Sequence, residues 1–451
     1  MYVLLCSTLA CLSGLLQMIS QVQALLITLT VFVGILIATR LKVPLFAAIL
    51  GASVVMGLAF THSGVETAAM AGEGFILPTT IALAIVNILQ VLLSSVMQRG
   101  GQTEQVVGLT GQVLRRPAIV MSALPALIGL LPMPGGALFS APMVAAASGK
   151  HHVEPARLSA VNYWFRHIWE HWWPLYPGVL TAIALTGVPI EKFMIFQIPL
   201  GIFMTRSGLL ILRRLHPSLH KVLPPAGLDT KLRLLWLTSS IWVIVLATIP
   251  ASWLVCYLDS TGAVPSWMPA IRRLGPVFIG LVVSVVWTTF LNRMNAATFW
   301  GLLQNKNLYT LTLLVASVMV FQHVLEVSGA PAQIAKELEA IKAPLILVVI
   351  MLPVIAGLVT GLAVGFVGTS FPIVLPLISK LAGDDSILPY VALAYGFGHM
   401  GQMVSPIHLC YIVSNQYFKT GFIAVYRNFL PSLIVMSAAT AGYFLLTRWL
   451  F

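Results

Sequence analysis

Four short stretches of this chain concentrate residue types that can bind ions or move protons. "YWFRHIWEHWWP" (163–174) holds Arg166, His167, Glu170 and His171. A guanidinium recognises an anion through a rigid fork of donors, while imidazoles and a carboxylate can carry a proton or a cation. Arg166 and Glu170 are four apart and can equally neutralise each other on one helix face; both readings stay open. His167 and His171 have a zinc-like spacing, but two histidines without a clear third ligand fall short of a metal centre. The second stretch, "GHMGQMVSPIHL" (398–409), offers His399, Gln402, Ser405, Pro406 and His408. The third, "PMPGGALFSAP" (132–142), offers Pro134, Gly135, Gly136 and Ser140, and the fourth, "GFVGTSFP" (365–372), offers Gly368, Thr369 and Ser370. Where a helix is broken by Gly and Pro, its free N–H groups suit an anion, while unwound carbonyls and hydroxyls suit Na⁺.

These groups must be positioned inside a membrane. The 451 residues are 59% hydrophobic and 8% charged, against about 25% charged in an ordinary soluble domain. Apolar runs of roughly twenty residues recur throughout, predicting an all-α polytopic membrane protein in a lipid bilayer. The formal charge of +12 collects in alternate loops, such as Arg115–Arg116 and Arg213–Arg214. That is the positive-inside pattern, so no nucleic-acid partner is needed to explain it; Arg272 and Arg273 are its exception. The four cysteines (Cys6, Cys11, Cys256, Cys410) show no paired spacing and are expected as buried thiols, without disulfide or metal roles. Residues 2–19 are expected as a first span rather than a removed signal peptide, and Trp169, Trp172 and Trp173 as an interfacial aromatic belt.

The expected organisation is N-terminal scaffold spans in 1–60, a first repeat in 61–212, a cytoplasmic linker in 213–232 and a second repeat in 233–451. Each repeat carries a re-entrant helical hairpin, at 117–148 and 344–381, followed by a discontinuous helix. The legs on either side of "PMPGGA" are too short to cross a core of about 30 Å. The second hairpin is expected to break around 360–370, and the following helices at Pro174 and Pro177 and at Ser405–Pro406. A shift of 232 positions superposes Tyr163, Phe165, His167 and Pro174 on Tyr395, Phe397, His399 and Pro406. Five crossings separate the hairpins, so the repeat is inverted, an architecture of secondary transporters.

The strings "LPMPGGALFSAPMV" (131–144) and "GQMVSPIHLCYIVSNQYF" (401–418) resemble a family of prokaryotic membrane proteins catalogued as domain of unknown function 401, placed within the ion transporter superfamily with anion/sodium symporters, citrate and gluconate carriers and sodium/proton antiporters. The resemblance covers roughly 20–450. It implies a homodimeric carrier of the prokaryotic cytoplasmic (inner) membrane, working by elevator-like movement. Its ion and substrate sites are implied at Pro134, Gly135, Gly136, Ser140, Gly368, Thr369, Ser370, Ser405 and Pro406. The repeated Ser-Asn-Thr tip of the dicarboxylate symporters is absent, which leaves sodium coupling and a dicarboxylate substrate unsupported.

The expected function is secondary active transport of a small anionic organic solute, coupled to H⁺ or Na⁺, with no other cofactor. A cation/proton antiporter without organic substrate is the alternative. No P-loop, Rossmann fingerprint, G-x-S-x-G or H-E-x-x-H occurs, so neither ATP-driven transport nor enzymatic activity is expected.

Overall fold

The computed structural model describes residues 22–114, 116–130, 136–149, 153–213, 227–263, 269–342, 344–383 and 387–450. They form helices and, among the described residues, no strand. Seven helices are long and apolar enough to cross a membrane: Pro78–Arg99, Ile190–Leu212, Ser239–Ser260, Leu274–Leu291, Leu308–Val327, Ala363–Ala382 and Phe422–Leu450. The protein is a multi-pass membrane protein. Residues 2–19 and most of the 213–232 linker lie outside the described residues.

Helix boundaries follow proline and glycine. Pro78, Pro117, Pro155 and Pro177 open helices, where a missing N–H costs nothing. Gly361, at φ 63°, ends Leu345–Thr360 in the left-handed region, a position that favours glycine. Short amphipathic helices that hydropathy had not separated, Gln102–Val113 and Ala330–Ala340, connect the spans. The expected span 233–257 is divided at Thr238 into Leu228–Leu237 and Ser239–Ser260.

Pro117–Gly129 and Ala137–Ser148 pack on each other. With 13 and 12 residues they measure roughly 20 and 18 Å, less than the bilayer core. The second pair is different. Leu345–Thr360 has 16 residues and Ala363–Ala382 has 20, so the latter reaches about 30 Å, and the chain breaks only at Gly361–Leu362. The break thus falls within the expected 360–370, at its start, but the expected unwinding of "GFVGTSFP" is corrected: it is continuous helix. Thr369 Oγ and Ser370 Oγ donate to the Gly365 and Phe366 carbonyls four residues back, at 2.8 and 2.6 Å, and so spend their donors on their own helix.

The helix starts keep a common register. Pro155, Pro177 and Ile190 open helices in the first half, and Ile387, Leu409 and Phe422 open helices in the second; each pair differs by 232. Packing is reciprocal as well. Pro177–Thr186 lies on Ala363–Ala382, and Leu409–Tyr417 lies on Ala137–Ser148. Lys306–Val327 lies on Leu45–Thr61, while Pro269–Leu291 lies on Pro78–Arg99. Glycines permit the closest approaches: a Cβ on Gly401 would strike the Val354 carbonyl, and one on Gly357 the Gly398 carbonyl.

Candidate functional site

Two interrupted helices meet in the interior. Pro155–Arg166 ends at His167, turns occupy the next residues, and Pro177–Thr186 follows. The break therefore begins seven residues before Pro174, earlier than expected. Ile387–Met403 stops one residue short of Val404, and Leu409–Tyr417 follows, as the Ser405–Pro406 step predicted. Proline explains how each break is held open. Pro174 lacks the N–H that a helix would aim at the Glu170 carbonyl, and the Tyr395 hydroxyl donates there instead, at 2.8 Å. Pro406 leaves the Gln402 carbonyl similarly short of a helical donor, and His408 Nδ1 lies 3.3 Å from it. Tyr163 donates to the Met403 carbonyl at 3.0 Å. Each half thus supplies a tyrosine to the other half's break.

The side chains at the crossing are buried. Gln402 Nε2 donates to Glu170 Oε2 at 2.8 Å; these two residues are 232 apart, the repeat shift itself. Glu170 also faces His167 Nε2 at 3.8 Å and His399 Nδ1 at 3.7 Å. His167 Nε2 and His408 Nε2 are 3.0 Å apart. The His171 ring lies against His399 with centroids 4.2 Å apart. The expected Arg166–Glu170 pairing along a helix face does not form as such, because the helix ends at Arg166. The guanidinium instead lies over Gly136, where a Cβ would collide with it, and its Nε donates to Cys410 Sγ at 3.4 Å.

A cavity of about 160 Å³ opens beside this crossing, lined by Arg166, Glu170, Gln402, His408 and Cys410. Three helix N-termini complete its wall: Pro177–Gly178, Ala363–Val364 and Leu409. Gly178 allows two of them to meet, since a Cβ there would crowd Ala363. Each N-terminus presents free N–H groups and a partial positive charge. Together with Arg166 they outweigh the one carboxylate, so the cavity favours an anion. Among the described residues, Gln402 Oε1, Ser405 Oγ, His399 Nε2 and both ring nitrogens of His171 are buried without a hydrogen-bond partner. Such atoms mark places for water, ion or solute.

The other expected site residues distribute unevenly. Pro134 and Gly135 lie outside the described residues. Gly136 caps Ala137–Ser148 against Arg166, and Ser140 is buried one turn further on, its Oγ 3.5 Å from the Ala137 carbonyl. Gly368 packs against Val318, where a Cβ would clash, and with Thr369 and Ser370 it sits in the body of Ala363–Ala382, away from the cavity lining. Pro406 is exposed at the break.

Trp169 and Trp173 spend their donors inside the protein: their indoles donate to the Ala126 and Leu130 carbonyls at 2.8 and 3.1 Å, and the Tyr176 hydroxyl bonds the Gly129 carbonyl. They close the C-terminus of Pro117–Gly129, where helix-end carbonyls need outside donors; the Ala126 carbonyl also takes the Leu130 N–H at 3.2 Å. Cys256 is exposed rather than buried. Cys410 is buried as expected and is a member of the site. His167, His408 and Cys410 bring three donor atoms within 4.8 Å of one another; the Arg166 hydrogen bond to the sulfur places a cation beside that trio. Sequence reasoning missed Cys410 and Tyr176 as members. Only Tyr395 carried a signal, as the counterpart of Tyr163.

Comparison with known proteins gives one family. A family model described as a protein of unknown function (DUF401) matches residues 19–255 and 271–446. No curated protein matches the chain.

Proposed function

We propose that this chain, which belongs to the DUF401 family, is a secondary active transporter of a small anionic organic solute. One observation carries the reading: three helix N-termini and Arg166 converge on a single cavity at the crossing of two broken helices. An anion in that cavity would exchange its water shell for free backbone N–H groups and a guanidinium fork. Unwound backbone of this kind is tolerated at membrane depth where it lines a cavity.

Alternating access is supported by the common 232-residue register and the reciprocal packing, which suit an inverted repeat. The repeat unit we propose reaches back to Gln23, because Leu45–Thr61 and Gly64–Ile76 also have counterparts, in Pro269–Leu291 and Ala296–Leu302. The short pair Pro117–Gly129 and Ala137–Ser148 fits a re-entrant hairpin. By the resemblance, the carrier would be a homodimer of the prokaryotic cytoplasmic membrane moving in elevator fashion. The coupling ion is H⁺ or Na⁺.

Uptake of radiolabelled mono-, di- and hydroxycarboxylates into proteoliposomes, with imposed pH or Na⁺ gradients, tests the proposal. Accumulation of one anion above its equilibrium level, abolished by collapsing the gradient, is the expected outcome. The cation/proton antiporter is the second reading, and it rests on the imidazoles flanking Glu170. Sodium-driven proton flux with no uptake of any solute would favour it.

A further inference from the structure

The His167–His408 contact poses a hydrogen-bonding problem. His167 Nδ1 is 2.6 Å from the Tyr163 carbonyl, and His408 Nδ1 is 3.3 Å from the Gln402 carbonyl. A carbonyl only accepts, so a hydrogen on each Nδ1 is the assignment that satisfies both contacts, with the Gln402 carbonyl also taking the Ser405 N–H at 3.1 Å. In a neutral imidazole the other nitrogen is then a bare lone pair. Two such lone pairs would face each other, Nε2 to Nε2, at 3.0 Å. That arrangement is repulsive unless something positive lies between them. Ring flips offer no escape, because they would put carbon atoms against Tyr163 and His408.

We infer that His167 and His408 share one proton between their Nε2 atoms, and that this proton is the coupling ion of the carrier. The second clause rests on the transporter reading; the first does not. The bond is N–H···N: one imidazole donates, the other accepts, and the pair carries a single positive charge. Glu170, at 3.8 Å from His167 Nε2, supplies the counter-charge, itself anchored by Gln402. Other titratable and charged groups at the pair are Arg166 and Cys410, which bond each other, Tyr163 beneath both rings, and His399 beyond Glu170. A metal ion is the other species that could bridge two lone pairs. It would draw on Cys410 Sγ as third ligand, where the Arg166 guanidinium already stands, and a second cation there is opposed by like charge.

The pair also joins the two interrupted helices. His167 ends Pro155–Arg166, and His408 is the N-cap of Leu409–Tyr417. Loss of the proton restores the repulsion and drives His408 away, together with the helix N-terminus and the Cys410–Arg166 contact that line the cavity. Gain of the proton draws them together and adds a positive charge beside the anion's place. Proton and anion therefore bind with mutual help and release together, as symport requires. The proton comes from water on one side and leaves to water on the other; no bond other than N–H changes.

Full-length protein labelled with ¹⁵N-histidine, stripped with EDTA and held in lipid nanodiscs, permits a direct measurement by solid-state NMR. One N–H···N-coupled imidazole pair is expected, absent from both H167Q and H408Q, each leaving its remaining partner neutral. Two uncoupled neutral imidazoles in the unmutated protein would overturn the inference, and so would a coupled pair with only two of its four ring nitrogens protonated, which is neutral and holds no extra proton. So would stoichiometric zinc or copper that survives EDTA, seen by elemental analysis, and disappears in both variants. In proteoliposomes with the carboxylate panel, H408Q should lose pH-driven accumulation by at least about tenfold, the scale of an ordinary coupling free energy, and the uptake that remains should no longer follow the pH gradient. Accumulation driven by Na⁺ and indifferent to pH would remove the coupling role and leave the transporter reading intact. A coupled imidazole pair in a protein that moves no solute would do the reverse.

Discussion

Glu170 and Gln402 stand at equivalent positions of the two halves and bind each other, so at this pair the halves differ by a single charge. Glu170→Gln would keep the hydrogen bond to Gln402 and remove the counter-charge to the imidazoles. Exchange of internal for external solute should survive, and gradient-driven accumulation should fall by about tenfold or more; equal loss of both would assign Glu170 to the fold. Arg166 separates charge from geometry. Arg166→Lys keeps the cation but cannot reproduce the fork over Gly136 and the bond to Cys410, so solute affinity should weaken by about tenfold, or roughly 1.4 kcal/mol. Unchanged affinity in binding or uptake assays would show that the anion does not touch the guanidinium. Gly136→Ala acts through the same group. Its new Cβ meets the far end of a flexible side chain, which shifts at little cost to the fold, so this variant should lose affinity without losing thermal stability.

At the scale of elements, the short helix Pro117–Gly129 cannot stand alone in lipid, because its last carbonyls lack donors and no water reaches them. Trp173 and Tyr176, both from the neighbouring break, satisfy the Leu130 and Gly129 carbonyls. Trp173→Phe and Tyr176→Phe each keep an aromatic ring and remove one donor, and each should cost about 1–3 kcal/mol. A lowered unfolding midpoint in detergent, with raised cysteine accessibility across 130–136, is the expected result; an unchanged midpoint in both variants would mean that water caps the helix. The same elements show what sequence could and could not convey. The break at Ser405–Pro406 was legible because one proline decides it. The break at 167 was not, because its cause is spread over Pro174, Pro177 and a tyrosine 225 residues away. "GFVGTSFP" looked like an unwound tip, yet its glycine serves helix packing against Val318 and its hydroxyls fold back on their own backbone. Composition alone cannot separate those two uses of glycine and serine.

For the whole molecule, apolar run length conveyed the helical membrane class, and the recurrence of Tyr, His and Pro at one shift conveyed the pairing of the halves. Cys410 stayed hidden because its partner Arg166 lies 244 positions away with no counterpart in the repeat. What spacing leaves open is the sense of the repeat, parallel or inverted, and here the structure offers a test. Glu154 follows the Pro117–Ser148 pair and is exposed; Lys380 lies at the end of the Leu345–Ala382 pair and is exposed. An inverted repeat places them on opposite faces, and the positive-inside pattern puts Glu154 in the cytoplasm. Glu154→Cys and Lys380→Cys, made separately with Cys6, Cys11 and Cys256 replaced by serine and buried Cys410 kept, should report this with a membrane-impermeant maleimide. Lys380→Cys should label in intact cells and Glu154→Cys only after permeabilisation. Labelling of both from one side would make the repeat parallel, and it would remove the two-faced geometry on which alternating access at the Glu170–Gln402 crossing depends.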